Sequence, residues 1–137
     1  MKKEELMIGD WLSLNYDINY KTGELIYAPV QITGINSDGT IDVNFTYDPS
    51  PSMQDGWDPK LFESIPLTAE ILEKNGFHDR MPLVDDYYIS DGIHYNIYSK
   101  YIMFGYVYGN ALEVKCEYVH ELQHLLKDCK IEKEIIL

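Results

Sequence analysis

Residues 120–124 read His-Glu-Leu-Gln-His, the His-Glu-x-x-His spacing of zinc hydrolases. On a helix, imidazoles four residues apart project from one face and can chelate a single zinc. The intervening glutamate is then placed to take a proton from metal-bound water. On that chemistry Glu121 is the catalytic base, His120 and His124 are metal ligands, and zinc is the cofactor. The pattern needs a third protein ligand and an open position. Only 13 residues follow His124. Asp128 shares the face but lies two turns from His120, too far to close a site with both histidines on a straight helix. Lys130 stands where one large zincin group places its third histidine. Glu132 and Glu134 would need a sharp fold-back, and His78 or His94 would have to arrive from another element.

A helical wheel places Tyr118, Val119, Leu122, Leu125, Leu126 and Cys129 on one arc, with His120 and His124 nearly opposite its centre. The expectation is therefore a solvated face carrying both histidines, a chance match to the motif, and a protein with no catalytic residue and no cofactor. The zinc hydrolase is kept as the alternative. A protease would also have to build a substrate cleft from a chain that spends most of its residues on sheets.

Other chemistry-bearing residues read more plainly. Seven of the 12 tyrosines lie between Tyr87 and Tyr108; aromatics form strands well, and those left outward offer binding area at low entropy cost. Tyr98 and Tyr101, with Trp57, are the expected interaction surface. Asp48, Asp55 and Asp58 around Gly56 miss the spacing of a calcium loop and fit turn-forming aspartates. Asp85, Asp86 and Asp91 read as solvated loop charge. Cys116 and Cys129 fall on apolar faces and are expected to be buried packing residues rather than nucleophiles. They are too few for a disulfide framework and too far apart for a Cys-x-x-Cys pair, which points to a reducing compartment. No glycine-rich phosphate loop or nucleophile elbow is present.

The elements that would position these groups follow from hydrophobic period. Leu12, Leu14 and Tyr16 alternate with polar residues, and a second apolar stretch begins at Leu25 and Tyr27 after a Lys21-Thr22-Gly23 turn. Val30 and Ile32, then Ser37-Asp38-Gly39, then Ile41, Val43, Phe45 and Tyr47 spell a hairpin. Such short strands predict a small, strongly bent antiparallel sheet, an SH3-like barrel, over residues 1–64. Residues 47–59 are turn-rich and mark the boundary between two lobes, which could still share one core. Thr68 as N-cap, Leu67 and Leu72 as a staple, Glu70 in the first turn and Gly76 as a left-handed stop predict a helix. Four strands then form a meander near Tyr87–Ser90, Ile93–Ser99, Tyr101–Tyr108 and Leu112–Cys116. A helix over about 117–129 and a short strand at 134–137 complete an α+β lobe over 65–137.

Composition bounds the rest. The 137 residues are 45% hydrophobic and 25% charged, values of a folded domain, with room for one domain or two small lobes. Eleven basic against 23 acidic residues give a net charge of -12, which repels phosphate backbones and anionic membranes. Direct nucleic-acid and membrane binding are thus not expected, and a basic protein partner is. No apolar run has the length of a signal peptide or membrane span, so a cytoplasmic location is expected.

Three stretches carry a resemblance: Ile8-Gly9-Asp10-Trp11, then Ile65 to Phe77 with its Pro-Leu-Thr start and Asn-Gly-Phe end, then Tyr118 to Leu125. Spanning nearly the full chain, they resemble a group of small proteins from phages and integrated mobile elements of gut Bacteroidales, for which no activity is established. Members of that pattern often carry Asn at the position of His124. This chain departs from it after Leu126, where Lys127-Asp128-Cys129 replaces an Ala-Leu-Thr-Gly type of ending. The resemblance implies a setting rather than a mechanism: a non-enzymatic accessory protein of a mobile element that binds another protein. Edge strands in small sheets also make a homodimer a candidate assembly.

Overall fold

The computed structural model describes residues 5–45, 54–79, 87–90, 93–104 and 112–137. The chain divides into two compact units, Met1–Ile65 and Pro66–Leu137. Both are built mainly of antiparallel sheet, so the protein is α+β.

In the first unit, β1 (Trp11–Ile18), β2 (Leu25–Ile35), β3 (Ile41–Phe45) and β4 (Phe62–Ser64) form an open sheet in the order β3-β2-β1-β4. The two apolar stretches after residue 25 are one strand of 11 residues that runs through Pro29. Its pairing with β3 begins at Val30 opposite Phe45, so Pro29, which has no N–H, removes no bond from that ladder among the described residues. Alternation puts Leu12, Leu14, Val30, Ile32, Ile41, Val43 and Phe62 on one face, where they form the core with Leu6. Gly39 closes the β2–β3 turn at φ 92°. The closed barrel expected from the sequence is not formed among the described residues. β3 and β4 end opposite edges of the sheet, and the outer edge of β3 is taken by residues 54–57 through Ile41 N–H to Trp57 O and Val43 N–H to Gln54 O. Asp48 and Tyr47 lie outside the described residues.

The second unit opens with α1 (Ala69–Lys74). Thr68 Oγ1 accepts Ile71 N–H at 3.2 Å, and Leu67 and Leu72 are both buried, as the staple requires. Gly76 at φ 84° and Phe77 N–H bonded to Leu72 O form a Schellman stop. The sheet has five strands rather than four, in the order β5-β6-β7-β8-β9: β5 (His78–Asp79), β6 (Tyr87–Ser90), β7 (Ile93–Asn96), β8 (Tyr101–Phe104) and β9 (Leu112–Lys115). β5 has two residues, too few to show a period. Asp85, Asp86, Asp91 and the Gly109-Asn110 turn lie outside the described residues.

The last helix, α2 (Val119–Asp128), buries Val119, Leu122 and Leu126 and ends in a second Schellman motif, with Lys130 at φ 56° and Ile131 N–H bonded to Leu126 O. Cys129, expected in the core, is exposed: it is the C-cap of α2, where the chain already leaves the helical path. Cys116 is buried, as expected. The predicted strand at 134–137 is not one. Asn75, itself buried, takes both backbone groups of Ile136: Nδ2 donates to Ile136 O and Oδ1 accepts Ile136 N–H, each at 2.7 Å. A side chain thus occupies the position a neighbouring strand would need. Among the described residues no helix is long and apolar enough to cross a membrane.

Candidate functional site

The candidate site is the first half of α2. Tyr118 is its N-cap residue, a side chain without the short oxygen of the usual Ser, Thr, Asp or Asn cap. Glu121, the third helical residue, holds the chain where it enters the helix: Oε1 accepts the N–H groups of Tyr118 and Glu117, each at 3.2 Å. Its negative charge also sits at the positive end of the helix. The carboxylate that the motif assigns to general base chemistry is therefore engaged with its own backbone. The sequence did contain this signal, a glutamate three residues past a helix start, but the start falls on tyrosine rather than Ser, Thr, Asp or Asn.

The histidines do not both face water. His120 is buried at 7% exposure and His124 is half-buried, which corrects the wheel-based expectation. A wheel treats the helix as an isolated cylinder. His120, however, is its second residue, where the incoming chain is pinned by Leu67 N–H to Glu117 O and by a bridge between Pro66 and Tyr118. The Tyr118 ring stacks on His120 at 6.1 Å and 15°, and His124 meets His120 edge to face at 5.6 Å and 81°.

Around this turn, Val114, Lys115, Glu121, His124 and Leu125 line an open hollow of about 200 Å³. That is below the roughly 300–1,000 Å³ usual for small-molecule sites. Lys115 Nζ bonds Glu117 at 3.1 Å, which raises the lysine pKa and lowers that of the glutamate. Behind the turn, Tyr95 Oη donates to Cys116 O at 2.9 Å. Burial, reinforced by the Glu121 charge, pushes the Cys116 thiol up to about 12, so it is no nucleophile at neutral pH.

The potential third ligands are scattered. His78 is exposed on β5, His94 half-buried on β7, and Asp128, Glu132 and Glu134 are exposed at or beyond the far end of α2. Among the described residues no three His, Cys, Asp or Glu side chains are grouped to hold a metal ion. Of the suggested calcium loop, Asp58 Oδ1 accepts Lys60 N–H at 2.9 Å and caps a 3-10 turn at Pro59–Leu61, a turn-forming role.

The expected interaction residues separate into two kinds. Trp57 is half-buried and packs against the core of the first sheet. Tyr98 and Tyr101, in the second unit, are 77% and 40% exposed. Tyr98 lies in the β7–β8 turn and Tyr101 begins β8; Asn96 holds that turn, its Oδ1 accepting the N–H groups of Tyr98 and Ser99 at 3.0 Å and its carbonyl accepting Lys100 N–H at 2.8 Å.

No protein family, curated protein or solved structure matches the chain.

Proposed function

We propose that the protein is a non-enzymatic accessory protein of a phage or mobile element that acts in the cytoplasm, without a cofactor, by binding another protein. The observation that carries this reading is the pairing of two facts about α2 and the β7–β8 turn. Glu121 is spent on closing a helix, whereas Tyr98, a large aromatic, is held in solvent on a turn that Asn96 has already ordered. An aromatic presented on a fixed backbone loses little entropy on docking, which suits recognition rather than chemistry. The net charge of -12 favours a basic protein partner and disfavours nucleic acid. Tyr98 and Tyr101 are assigned to contact, and half-buried Trp57 to packing within the first unit.

The first unit fits an SH3-like arrangement. Residues 54–57 lie beside β3, a 3-10 turn precedes β4, and β4 returns to pair with β1. Affinity capture from native-host lysate tests the function. The protein should retain a defined partner that Tyr98→Ser with Tyr101→Ser loses, while a folded Glu121→Gln variant keeps it. Equal retention by all variants contradicts the assignment.

The second reading, a minimal zinc hydrolase using His120, Glu121 and His124, draws on the 5.6 Å approach of the two imidazole rings. It requires Glu121 to give up both backbone bonds and a further ligand to join.

A further inference from the structure

Asn75-Gly76 is the one Asn-Gly step in the sequence. Glycine after asparagine makes the dipeptide most prone to losing its side-chain amide, because no Cβ hinders the glycine nitrogen as it approaches the asparagine Cγ. In the fold the two residues have unlike surroundings: Asn75 is buried, whereas Gly76 is exposed at φ 84°. Water and base thus reach the attacking nitrogen but not the group it would attack.

Hydrogen bonds hold that amide still. Nδ2 donates to Ile71 O at 2.8 Å and to Ile136 O at 2.7 Å, and Oδ1 accepts Ile136 N–H at 2.7 Å. The Asn75 backbone closes α1 at φ -98° and ψ 17°, and the Gly76 N–H that would have to give up its proton is bonded to Glu73 O at 3.1 Å. Both bonds to Ile136 come from residues 131–137, which have no helix or strand of their own. That segment is fastened by buried Ile135, by Lys74 Nζ donating to Leu137 O, and by Lys133 Nζ lying 5.6 Å from the centre of the Phe77 ring. A segment held at so few points opens more readily than the helix it rests on.

We propose that Asn75 is a modification site guarded by residues 131–137: when that segment lifts, Asn75 converts to aspartate or isoaspartate, and the segment does not return. Without Ile136 the amide is free to turn, and ψ of Asn75 can leave 17° for the angle that ring closure requires. Hydroxide takes the Gly76 amide proton, and the nitrogen forms a bond to Asn75 Cγ. The Cγ–Nδ2 bond breaks, and Nδ2 departs as ammonia with a proton from water. Water then adds to either carbonyl of the succinimide and opens the ring. Neither product restores the N–H donor that the Ile71 and Ile136 carbonyls had, so the opening runs one way.

The test is ageing of the full chain in mildly alkaline buffer, with peptide mass mapping at residue 75 and amide exchange at Ile136 and Leu122. Conversion should be fastest in denaturing urea and slowest in the native protein. Ile135→Ser should raise the native rate about tenfold while Leu122 exchanges as in the parent, since a slow reaction of an opened state follows the population of that state. A second measurement needs no variant: in sub-denaturing urea the parent's conversion rate and Ile136 exchange should rise together, before Leu122 exchange moves. The converted protein, still folded, should exchange Ile136 rapidly. Conversion in the native fold as fast as in denaturing urea, no conversion in either, a rate unmoved by sub-denaturing urea, or a converted protein with Ile136 still protected overturns the proposal.

Discussion

Glu121 closes the start of its own helix on Tyr118, its Oε1 3.2 Å from the Tyr118 amide nitrogen. Removing that carboxylate should therefore act on stability. Glu121→Ala is expected to cost about 0.5–1.5 kcal/mol, and Glu121→Gln less, because an amide oxygen still accepts both N–H groups. Urea titration of the three proteins measures this. An unchanged midpoint for Glu121→Ala would remove the capping role.

Asn75 does for the chain's last described segment what a strand partner would otherwise do. Besides its two bonds to Ile136, its Nδ2 donates to Ile71 O at 2.8 Å. Asn75→Ala should destabilise the protein by about 2–3 kcal/mol, since buried backbone groups lose their partners. It should also speed amide exchange at Ile136 more than at Leu122. Asn75→Asp should be worse near neutral pH than in mild acid, because an ionised carboxylate would face the Ile71 and Ile136 carbonyls.

How far the sequence discloses this fold depends on how local each cause is. The α1 helix is legible because Thr68, Leu67, Leu72 and Gly76 act within one another's reach. The β2–β3 hairpin is legible for the same reason, through Gly39 and an alternation that one register shift between Ile32 and Gly34 interrupts. β4 and β5 are too short to show a period, and each exists because a longer strand pairs with it. The fate of residues 134–137 depends on Asn75, 61 positions before Ile136. His120 is the instructive case for the site. The wheel puts it opposite the apolar stripe, yet it is buried, because the chain pinned at Leu67 and Tyr118 lies outside any helical projection.

The two Schellman motifs make opposite predictions. Gly76 sits at φ 84°, so Gly76→Ala should cost about 1 kcal/mol. Lys130 occupies the equivalent position of α2 at φ 56° with a side chain that disfavours it, so Lys130→Gly should stabilise by up to about 1 kcal/mol. Thermal melts of both variants check the signs.

The buried thiol sets an alkaline limit. Cys116 ionises in the unfolded chain near its ordinary pKa but in the fold only at about 12. Between about pH 9 and 12 the unfolded state thus binds fewer protons, and stability should fall as pH rises, by at most about 1.4 kcal/mol per unit. Burial of Tyr95, whose pKa is also raised, extends the loss upward. Cys116→Ala should flatten the first part of this decline in denaturation series at graded pH. In the native protein a thiol reagent should label exposed Cys129 and spare Cys116 until unfolding.

The account turns on whether residues 120–124 are helix architecture or a metal centre, and calorimetric zinc titration of protein purified without an affinity tag addresses this directly. We predict no one-to-one binding tighter than about 1 μM, about 8 kcal/mol, and no cleavage of an unstructured protein by the zinc-treated sample. Tight stoichiometric binding, with cleavage that disappears in Glu121→Gln, would contradict it.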